Sequence, residues 1–230
     1  MPETKKTRKR PGRQPGTTLT REAILDRALE LVERDGVAAL SMRRLGEELG
    51  VDATAFYRHF RDKDALVLAA YDRVTDELAD LVRELDPSLP WRTRLERLAE
   101  AGWALSERYP AMYSLGWARI TGGPAEREIV EFILGTLAST GLAADRAVLY
   151  YRTFADLTLS LSGMRATVAA LDPALREKDA NAWTNIYAAL PQSEYPAAIA
   201  HAAELQRVTE TEIYELAIQA LLDRVEREIG

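Results

Sequence analysis

The stretch from Ser41 to Lys63 reads SMRRLGEELGVDATAFYRHFRDK, and its spacing predicts two short helices joined by a tight turn. Ser41 stands where an N-cap side chain would bond the first free backbone N–H groups of a helix. Leu45 and Leu49 lie four residues apart and form one face of that helix. Gly50 tolerates the left-handed conformation in which helices commonly end. The pattern is typical of a helix-turn-helix.

The second helix of this motif begins after Asp52, which can cap it, and Phe56 and Phe60 recur four residues apart on its inward side. Its outward side carries small side chains, which allow close approach to a groove, and side chains suited to phosphate oxygens. These residues are Ala53, Thr54, Tyr57, Arg58 and His59. An ordinary solvated face is the alternative. The ordered succession of glycine turn, cap and Phe pair favours a DNA-binding surface.

Residues from about Thr20 to Tyr71 resemble the DNA-binding domain of the TetR family, the tetracycline-repressor-like bacterial regulators. The string that carries the resemblance is GV-x-x-x-x-x-Y-x-x-F-x-x-K, formed here by Gly50, Val51, Tyr57, Phe60 and Lys63. The resemblance implies an all-α fold in which a three-helix DNA-binding domain is followed by a helical domain for ligand binding and dimerisation.

The resemblance also implies roles for individual side chains. It gives Arg43 a base-reading role, places Ala53, Thr54 and Tyr57 in the groove, and lets Tyr57, His59 and Lys63 hold phosphates. Family members often carry a polar base-bonding side chain where this chain has Ala53, whose methyl group could instead contact a thymine methyl. The complete set of expected DNA contacts is Ser41, Arg43, Ala53, Thr54, Tyr57, Arg58, His59 and Lys63, together with Arg10 and Arg13 of the N-terminus.

Residues 1–18 are basic, rich in Pro and Gly and nearly free of apolar side chains, so they are predicted to be a disordered arm. The piece around Arg10 and Arg13 is similar to the short arginine arms that enter A·T-rich minor grooves. A solvated tail is the equal alternative.

The rest of the chain has helical periodicity throughout, and we predict an all-α protein. Residues 19–65 form the helix-turn-helix domain, with a first helix capped by Thr20 and ended at Gly36. A connector helix over 62–85 leads into a helical body, residues 66–230. Further helices are expected at about 91–108, 111–120, 124–140, 145–171, 174–190, 196–206 and 209–229.

Two of these helices are candidates for association between copies of the chain. Helix 145–171 carries small and apolar side chains on all of its faces. Helix 209–229 begins with a capping box of Thr209 and Glu212 and has a wide apolar stripe. A purely intrachain bundle is the alternative. The resemblance implies that the two helices form a four-helix bundle across a two-fold axis, so a homodimer is expected.

Aromatic side chains are concentrated in the body, where they can build a core or line a pocket for a small, largely apolar molecule. The residues expected to contact this ligand are Leu81, Trp103, Tyr113, Trp117, Phe132, Tyr151 and Phe154. No histidine lies between residues 60 and 200, so the metal-dependent drug binding of the tetracycline repressors is not expected.

Composition excludes several classes of protein. The chain has no cysteine, which excludes disulfides and thiolate metal sites, and its two histidines form none of the usual catalytic or metal-binding motifs. We therefore expect no enzyme activity, no metal and no cofactor. The basic N-terminus lacks the apolar run of a signal peptide and no segment has the length of a membrane span, so a cytoplasmic location is expected.

Charge is divided unevenly along the chain, whose net charge is −6. Residues 1–63 hold 14 basic and 10 acidic side chains, a balance of +4, and residues 64–230 hold the remaining 16 and 26, a balance of −10. Such asymmetry orients a protein on DNA. The hypothesis is a one-component regulator, favoured as a repressor, that binds a palindromic operator and is released by a small ligand. An all-α carrier or enzyme with a vestigial DNA-binding motif, or a ligand-independent DNA binder, remains the alternative.

Overall fold

The structure, a computed structural model, describes residues 19–230. The expected disordered arm, residues 1–18 with Arg10 and Arg13, lies outside the described residues. Within residues 19–230 the chain forms helices and no strand, which confirms the all-α prediction. The helices are α1 (Arg21–Asp35), α2 (Met42–Leu49), α3 (Lys63–Glu84), α4 (Trp91–Arg108), α5 (Pro110–Gly116), α6 (Pro124–Ala138), α7 (Ala144–Ala169), α8 (Pro173–Ala180), α9 (Ala182–Asn185), α10 (Pro196–Ala200), α11 (Ala202–Arg207) and α12 (Glu210–Ile229). Short 3-10 helices occupy Val37–Ala39, Ala53–Arg58 and Tyr187–Ala189.

Two helix starts for which the sequence predicts a side-chain cap have that cap in the structure. The Thr20 hydroxyl accepts a hydrogen bond from Ala23 N at 3.2 Å. At α12 the capping box is complete, because the Thr209 hydroxyl accepts from Glu212 N while the Glu212 carboxylate accepts from Thr209 N. These bonds satisfy N–H groups that a helix start leaves unpaired.

Three N-terminal segments share one core. Ile24, Ala28 and Leu31 of α1 are fully buried, as are Leu45 of α2 and Phe56 beyond the turn. Two short helices cannot persist alone, so this shared apolar contact holds them. The first half of α3 packs on the same core and the second half continues among α4 and α6.

The short helix α5 packs closely against α3 and α7, and each contact includes a glycine. A Cβ at Gly116 would lie 2.2 Å from Cγ of Tyr71 on α3, and a Cβ at Gly163 of α7 would lie 2.2 Å from Cγ of Trp117. Both rings therefore lie directly on glycine backbone. The close contact fixes α5 between the connector helix and α7.

Two predicted helices of the body are wrong in extent. The segments expected at 174–190 and 196–206 are broken into α8 to α11 with a 3-10 helix between them. Ala202 is the one buried side chain among the described residues 171–207, so little tertiary packing supports a long helix here. Helical periodicity alone does not reveal that such packing is missing.

Two further helices are shorter or tighter than their patterns predict. The helix expected at 111–120 ends at Gly116, beyond which Arg119 turns to form an ion pair with Asp64 of α3. The second helix of the helix-turn-helix is a 3-10 helix, Ala53–Arg58, rather than an α-helix. Six residues form few helical hydrogen bonds, and their placement depends on the cap at Asp52 and on buried Phe56.

Candidate nucleic-acid interface and ligand cavity

The turn of the helix-turn-helix is held by bonds within a few residues of sequence. Gly50 adopts φ 65° and ψ 28°, the left-handed conformation expected of it. Val51 N donates to Gly46 O at 3.0 Å, and a Cβ at Gly46 would lie 2.8 Å from Val51 O. Gly46 is therefore needed for the turn to pack on α2. The sequence interpretation did not identify this residue, although a buried glycine inside a helix is a signal of close backbone approach.

The side chains around the turn are oriented by two caps. The Ser41 hydroxyl accepts from Arg44 N at 3.1 Å. The Asp52 carboxylate accepts from Thr54 N at 2.9 Å and from the Thr54 hydroxyl at 2.7 Å. Ser41 and Thr54 thus serve the local fold first, and each hydroxyl oxygen keeps lone pairs for an outside donor.

The expected DNA-binding residues differ in accessibility. Arg43 has a side chain that is 83% exposed, and its guanidinium bonds Glu47 of the same helix at 2.7 Å. Tyr57 is 57% exposed, and Arg58 and Lys63 are also exposed, whereas Ala53 and His59 are half-buried. An exposed ion pair contributes little free energy, so Arg43 can exchange Glu47 for another partner.

One contact links the helix-turn-helix directly to the body. The half-buried Glu33 carboxylate on α1 accepts hydrogen bonds from Met112 N at 2.8 Å and from Ala111 N at 3.3 Å, the free N–H groups at the start of α5. Burial raises the pKa of Glu33, and the two backbone donors oppose that shift. The residue after Met112 is the buried Tyr113, whose ring meets Tyr71 edge-on at 5.4 Å between centroids. α1 is thus tied to a helix that borders an internal cavity.

The cavity lies among α3, α4, α5, α6, α7 and α12 and offers about 130 Å³ to the centres of water-sized molecules. Its walls are mostly apolar or aromatic, with polar groups at one end. The lining residues are Tyr71, Thr75, Leu78, Leu98, Ala99, Gly102, Tyr113, Arg119, Thr121, Glu126, Ile129, Val130, Ile133, Tyr151, Phe154, Ala155, Thr158, Leu159, Ser162 and Tyr214.

The cavity contains some of the residues expected to bind a ligand and not others. Tyr113, Tyr151 and Phe154 line it, whereas Leu81, Trp103, Trp117 and Phe132 are absent from its lining. Each of the last three has another partner in the described structure. Trp103 stacks on Tyr214 at 4.4 Å between centroids, Trp117 packs on Gly163, and Phe132 lies under the Arg94 guanidinium at 4.7 Å.

The sequence interpretation missed the polar residues of the cavity, including Tyr71, Arg119, Thr121 and Glu126. Tyr71, Thr75 and Leu78 follow one another at spacings of four and three on α3, which is a second helical stripe beside the apolar one. That stripe is the sequence signal that could have placed Tyr71 and Thr75 in the cavity wall. No sequence signal marks the loop residues, because only the tertiary fold brings them to the cavity.

The polar end of the cavity is a network between α3 and the loop that precedes α6. Asp72 of α3 accepts from the Thr121 hydroxyl at 2.9 Å and from Glu126 N at 3.2 Å. The Glu126 carboxylate accepts from Thr121 N and Gly122 N, each at 2.6 Å. Arg119 bonds both carboxylate oxygens of Asp64 at 3.0 Å. Backbone N–H groups therefore bond both the buried Asp72 carboxylate and the half-buried Glu126 carboxylate.

Residues 19–230 hold no group of three or more His, Asp or Glu side chains arranged as metal ligands. None of the helices in this range combines the length and apolar character that crossing a bilayer requires.

The structure thus places an exposed helix-turn-helix on an all-α fold. Residues 24–70 match the family described as "Bacterial regulatory proteins, tetR family". The chain is 32% identical over 139 residues to the HTH-type transcriptional repressor DrrR1 of Streptomyces coeruleorubidus, a match that covers 59% of this chain and 50% of that relative. It is 36% identical over 151 residues to an HTH-type transcriptional regulator of Saccharopolyspora erythraea, covering 62% of each. The chain therefore spans about half to three-fifths of the length of these two relatives.

The fold is shared with solved structures along nearly the whole chain. The Streptomyces coelicolor TetR family protein ActR, crystallised with actinorhodin, aligns with a TM-score of 0.80 at 20% identity, covering 93% of this chain and all of ActR. At that identity the likeness concerns the fold alone. Residues 24–70 are thus similar to the tetR family of bacterial regulatory proteins, and the whole chain has a fold similar to that of a TetR family protein.

Proposed function

We propose that this chain is a homodimeric, ligand-responsive transcriptional regulator, acting as a repressor, that binds a palindromic operator and is released by a small, largely apolar molecule. Residues 19–65 read DNA, and residues 66–230 bind the ligand and dimerise. The observation that carries the proposal is that one helix, α3, has its N-terminus beside the helix-turn-helix and its Tyr71, Thr75 and Leu78 in the cavity wall.

The DNA-binding part of the proposal is supported by the exposed, locally fixed surface around the turn. Arg43 reads a base edge, while Tyr57 and Lys63 hold phosphates, with Ser41, Thr54, Arg58 and His59 alongside. The relatives named above are a repressor and a transcriptional regulator, which favours this role over a carrier or an enzyme. Arg10 and Arg13 of the N-terminal arm enter the flanking minor groove.

The dimer is supported by exposed apolar side chains on the two helices that the sequence favours for association. On α7 they include Val148, Leu149 and Met164, and on α12 they include Ile213 and Leu216, the last 72% exposed. Large exposed apolar side chains on both of these helices favour a protein interface over an ordinary solvated face. A two-fold dimer also supplies the two DNA-binding surfaces that a palindrome requires.

The ligand response is supported by the cavity and by the two links from it to the helix-turn-helix. A molecule that enters the cavity contacts α3 and α5, and α5 is bonded to α1 through Glu33. Two DNA-binding surfaces fit two half-sites only at a separation of about 34–36 Å or a multiple of it, so a small movement of α3 is sufficient to weaken binding. ActR has been crystallised with actinorhodin and with (S)-DNPA, which favours a ligand-binding role for a fold of this kind.

The test of DNA binding is selection of bound sequences from a random duplex pool, followed by titration of variants on the selected site. Lys63→Ala should weaken binding to all sequences alike and lower the log–log salt slope by roughly one. Arg43→Ala should cost on the order of 1–3 kcal/mol on the selected site and relax preference at one position of each half-site. Arg97→Ala is the matched control, because Arg97 is 62% exposed on α4 and far from the turn in sequence. Selection of no common sequence would contradict the proposal.

The coupling is tested by linkage. Once a ligand is found, the operator must weaken ligand binding by the same factor by which the ligand weakens operator binding, typically ~5–150-fold. Equal ligand affinity for the free protein and the operator complex would leave a ligand-independent DNA binder. Turnover of the ligand without duplex binding would instead support the carrier or enzyme.

A further inference from the structure

One ion pair joins the cavity wall to the first turn of α3. The two terminal nitrogens of the Arg119 guanidinium donate to the two carboxylate oxygens of Asp64, each at 3.0 Å. This two-bond arrangement is the geometry in which an arginine binds a carboxylate most specifically. The two residues are 55 positions apart in sequence, so only the tertiary fold brings them together.

Arg119 is positioned by a stretch of chain that runs beside α3. Its backbone N–H donates to Gly116 O at 2.9 Å, and Gly116 packs directly on the ring of Tyr71. Tyr71 follows Asp64 by seven residues, which places both on one face of α3. Arg119 also belongs to the lining of the cavity. The bond to Asp64 therefore depends on the cavity wall.

Asp64 lies next to Lys63, the proposed phosphate contact, in the first turn of α3. Among residues 19–230, Lys63 has no carboxylate within ion-pairing distance. The acidic residue on its other side, Asp62, is paired with Arg61 at 2.8 Å. Each of the two carboxylates that flank Lys63 in sequence is thus compensated by an arginine, and the lysine ammonium stays available to an outside anion.

The charge of Asp64 affects how α3 interacts with a polyanion. At about 10 Å, one unpaired negative charge weakens the binding of a phosphate by about 2–10-fold, for effective dielectric constants between those of water and a protein surface. The paired side chains are 45% and 52% exposed, so dissolved salt also screens them. Together, Arg119 and Asp64 present almost no net charge to DNA, whereas Asp64 alone would present one negative charge.

We propose that Arg119 is a positioning residue for DNA binding, which acts from the cavity wall by neutralising Asp64 beside the phosphate-binding Lys63. The inference deepens, and rests on, the proposed function. It gives the ligand response an electrostatic component in addition to the movement of α3. An occupant of the cavity that moves Arg119 leaves Asp64 without its counter-charge and so weakens the hold of α3 on DNA.

The test is a set of charge variants: Arg119→Ala, Asp64→Asn and the two combined. Each full-length protein is titrated with the selected operator and with a random duplex of equal length. Arg119→Ala should weaken both complexes by about 2–10-fold, because the effect is one of charge rather than of base sequence. Asp64→Asn should bind at least as tightly as the wild-type protein. The combined variant should return to within about twofold of wild type, because it leaves neither charge uncompensated.

Arg83→Ala is the matched control. Arg83 also joins α3 to the body through an ion pair, with Glu128 at 2.9 Å, and its side chain is 53% exposed. It lies about 30 Å from Lys63 along the helix, at roughly 1.5 Å per residue, or about three Debye lengths at 0.1 M salt. Loss of this arginine should therefore leave DNA affinity within about twofold of wild type.

Three further measurements separate charge from a structural role of Arg119. Raising the salt concentration from about 50 to about 200 mM should narrow the difference between wild type and Arg119→Ala, because screening shortens the reach of Asp64. Arg119→Lys keeps the positive charge and should retain most of the affinity. The melting temperatures of Arg119→Ala and Arg83→Ala should fall by no more than a few degrees, since exposed ion pairs contribute little to stability.

A combined variant that binds as weakly as Arg119→Ala would mean that Arg119 acts through the shape of its loop or on DNA directly, and would overturn the inference. Arg119→Ala that binds as tightly as the wild-type protein would overturn it as well. Selection of an operator whose affinity ignores these charges leaves the proposed function intact. If no common sequence is selected but the random duplex responds as expected, the operator fails and the role of Arg119 stands. A protein that binds no duplex overturns both.

Discussion

The helix-turn-helix and the cavity differ in the distance along the chain over which their polar groups are held. Around the turn, Ser41 bonds Arg44 and Asp52 bonds Thr54, within three residues of sequence. Around the cavity, Asp72 bonds Thr121 and Arg119 bonds Asp64, about fifty residues apart. The contrast teaches that the proposed DNA-binding surface is oriented locally and can change one side chain at a time. The cavity instead depends on the packing of six helices.

The largest effect should come from the one feature of the helix-turn-helix that is not local, its shared core. Phe56→Ala removes a fully buried ring from a six-residue 3-10 helix and should cost roughly 3–5 kcal/mol. Thermal and urea unfolding measure this loss. The neighbouring Tyr57→Ala, at a residue that is 57% exposed, should change stability by less than about 0.5 kcal/mol. Similar losses for the two variants would mean that local caps, rather than the core, hold the segment.

The next largest effect concerns the region around the cavity, where α5 packs against α7. Gly163→Ala would place a Cβ 2.2 Å from the Trp117 ring, so the ring must move and the cost should be about 1–3 kcal/mol. Gly135→Ala is the matched control, since an added Cβ there has no neighbour within 4 Å. On a helix that control should stabilise the protein by roughly 0.5–1 kcal/mol. In thermal unfolding, Gly163→Ala should lower the melting temperature and Gly135→Ala should raise it. A change in the same direction for both variants would contradict the close packing.

A third variant tests the contact that joins the two regions. Glu33→Ala leaves the N–H groups of Ala111 and Met112 without their acceptor and should cost about 1–2 kcal/mol. Glu33→Gln keeps an acceptor oxygen and should cost less. In a protein with a bound operator, Glu33→Ala should also reduce the mutual weakening of operator and ligand, measured by titrating each in the presence of the other. If the mutual weakening of operator and ligand were unchanged, the contact between α1 and α5 would not transmit the effect of the ligand to the helix-turn-helix.

The smallest effect concerns pH at the end of α12. The side-chain bond to Arg146, followed by that to Tyr150, lowers the pKa of Glu228 from 4.5 to about 2. A depressed pKa means that the unfolded chain binds the proton more readily, so the contribution is complete above about pH 4.5 and disappears as pH falls towards 2. Glu228→Gln should therefore lower the melting temperature slightly at pH 7 and have no effect near pH 2. Glu215→Gln, at an exposed carboxylate of the same helix, is the control, and a constant difference at all pH values would contradict the ion pair.

Much of the fold follows from local sequence signals. Thr20, Ser41 and Thr209 cap helices where the sequence predicts it, and Gly50 takes the left-handed turn. Phe56 and Phe60 are buried as their spacing indicates. These outcomes are predictable because caps, turns and helical stripes involve residues that are at most four apart.

The sequence by itself determined the helical class, the helix-turn-helix and the resemblance to the TetR family, since these depend on short-range geometry that a string of residues displays directly. Only the tertiary structure decided which side chains share the cavity. It placed Trp103 and Trp117 against Tyr214 and Gly163 instead of in the lining, and it brought Tyr71 together with a loop fifty residues later. The physical reason is that a helical stripe indicates burial but not the neighbour it is buried against, because that neighbour is set by how whole helices pack.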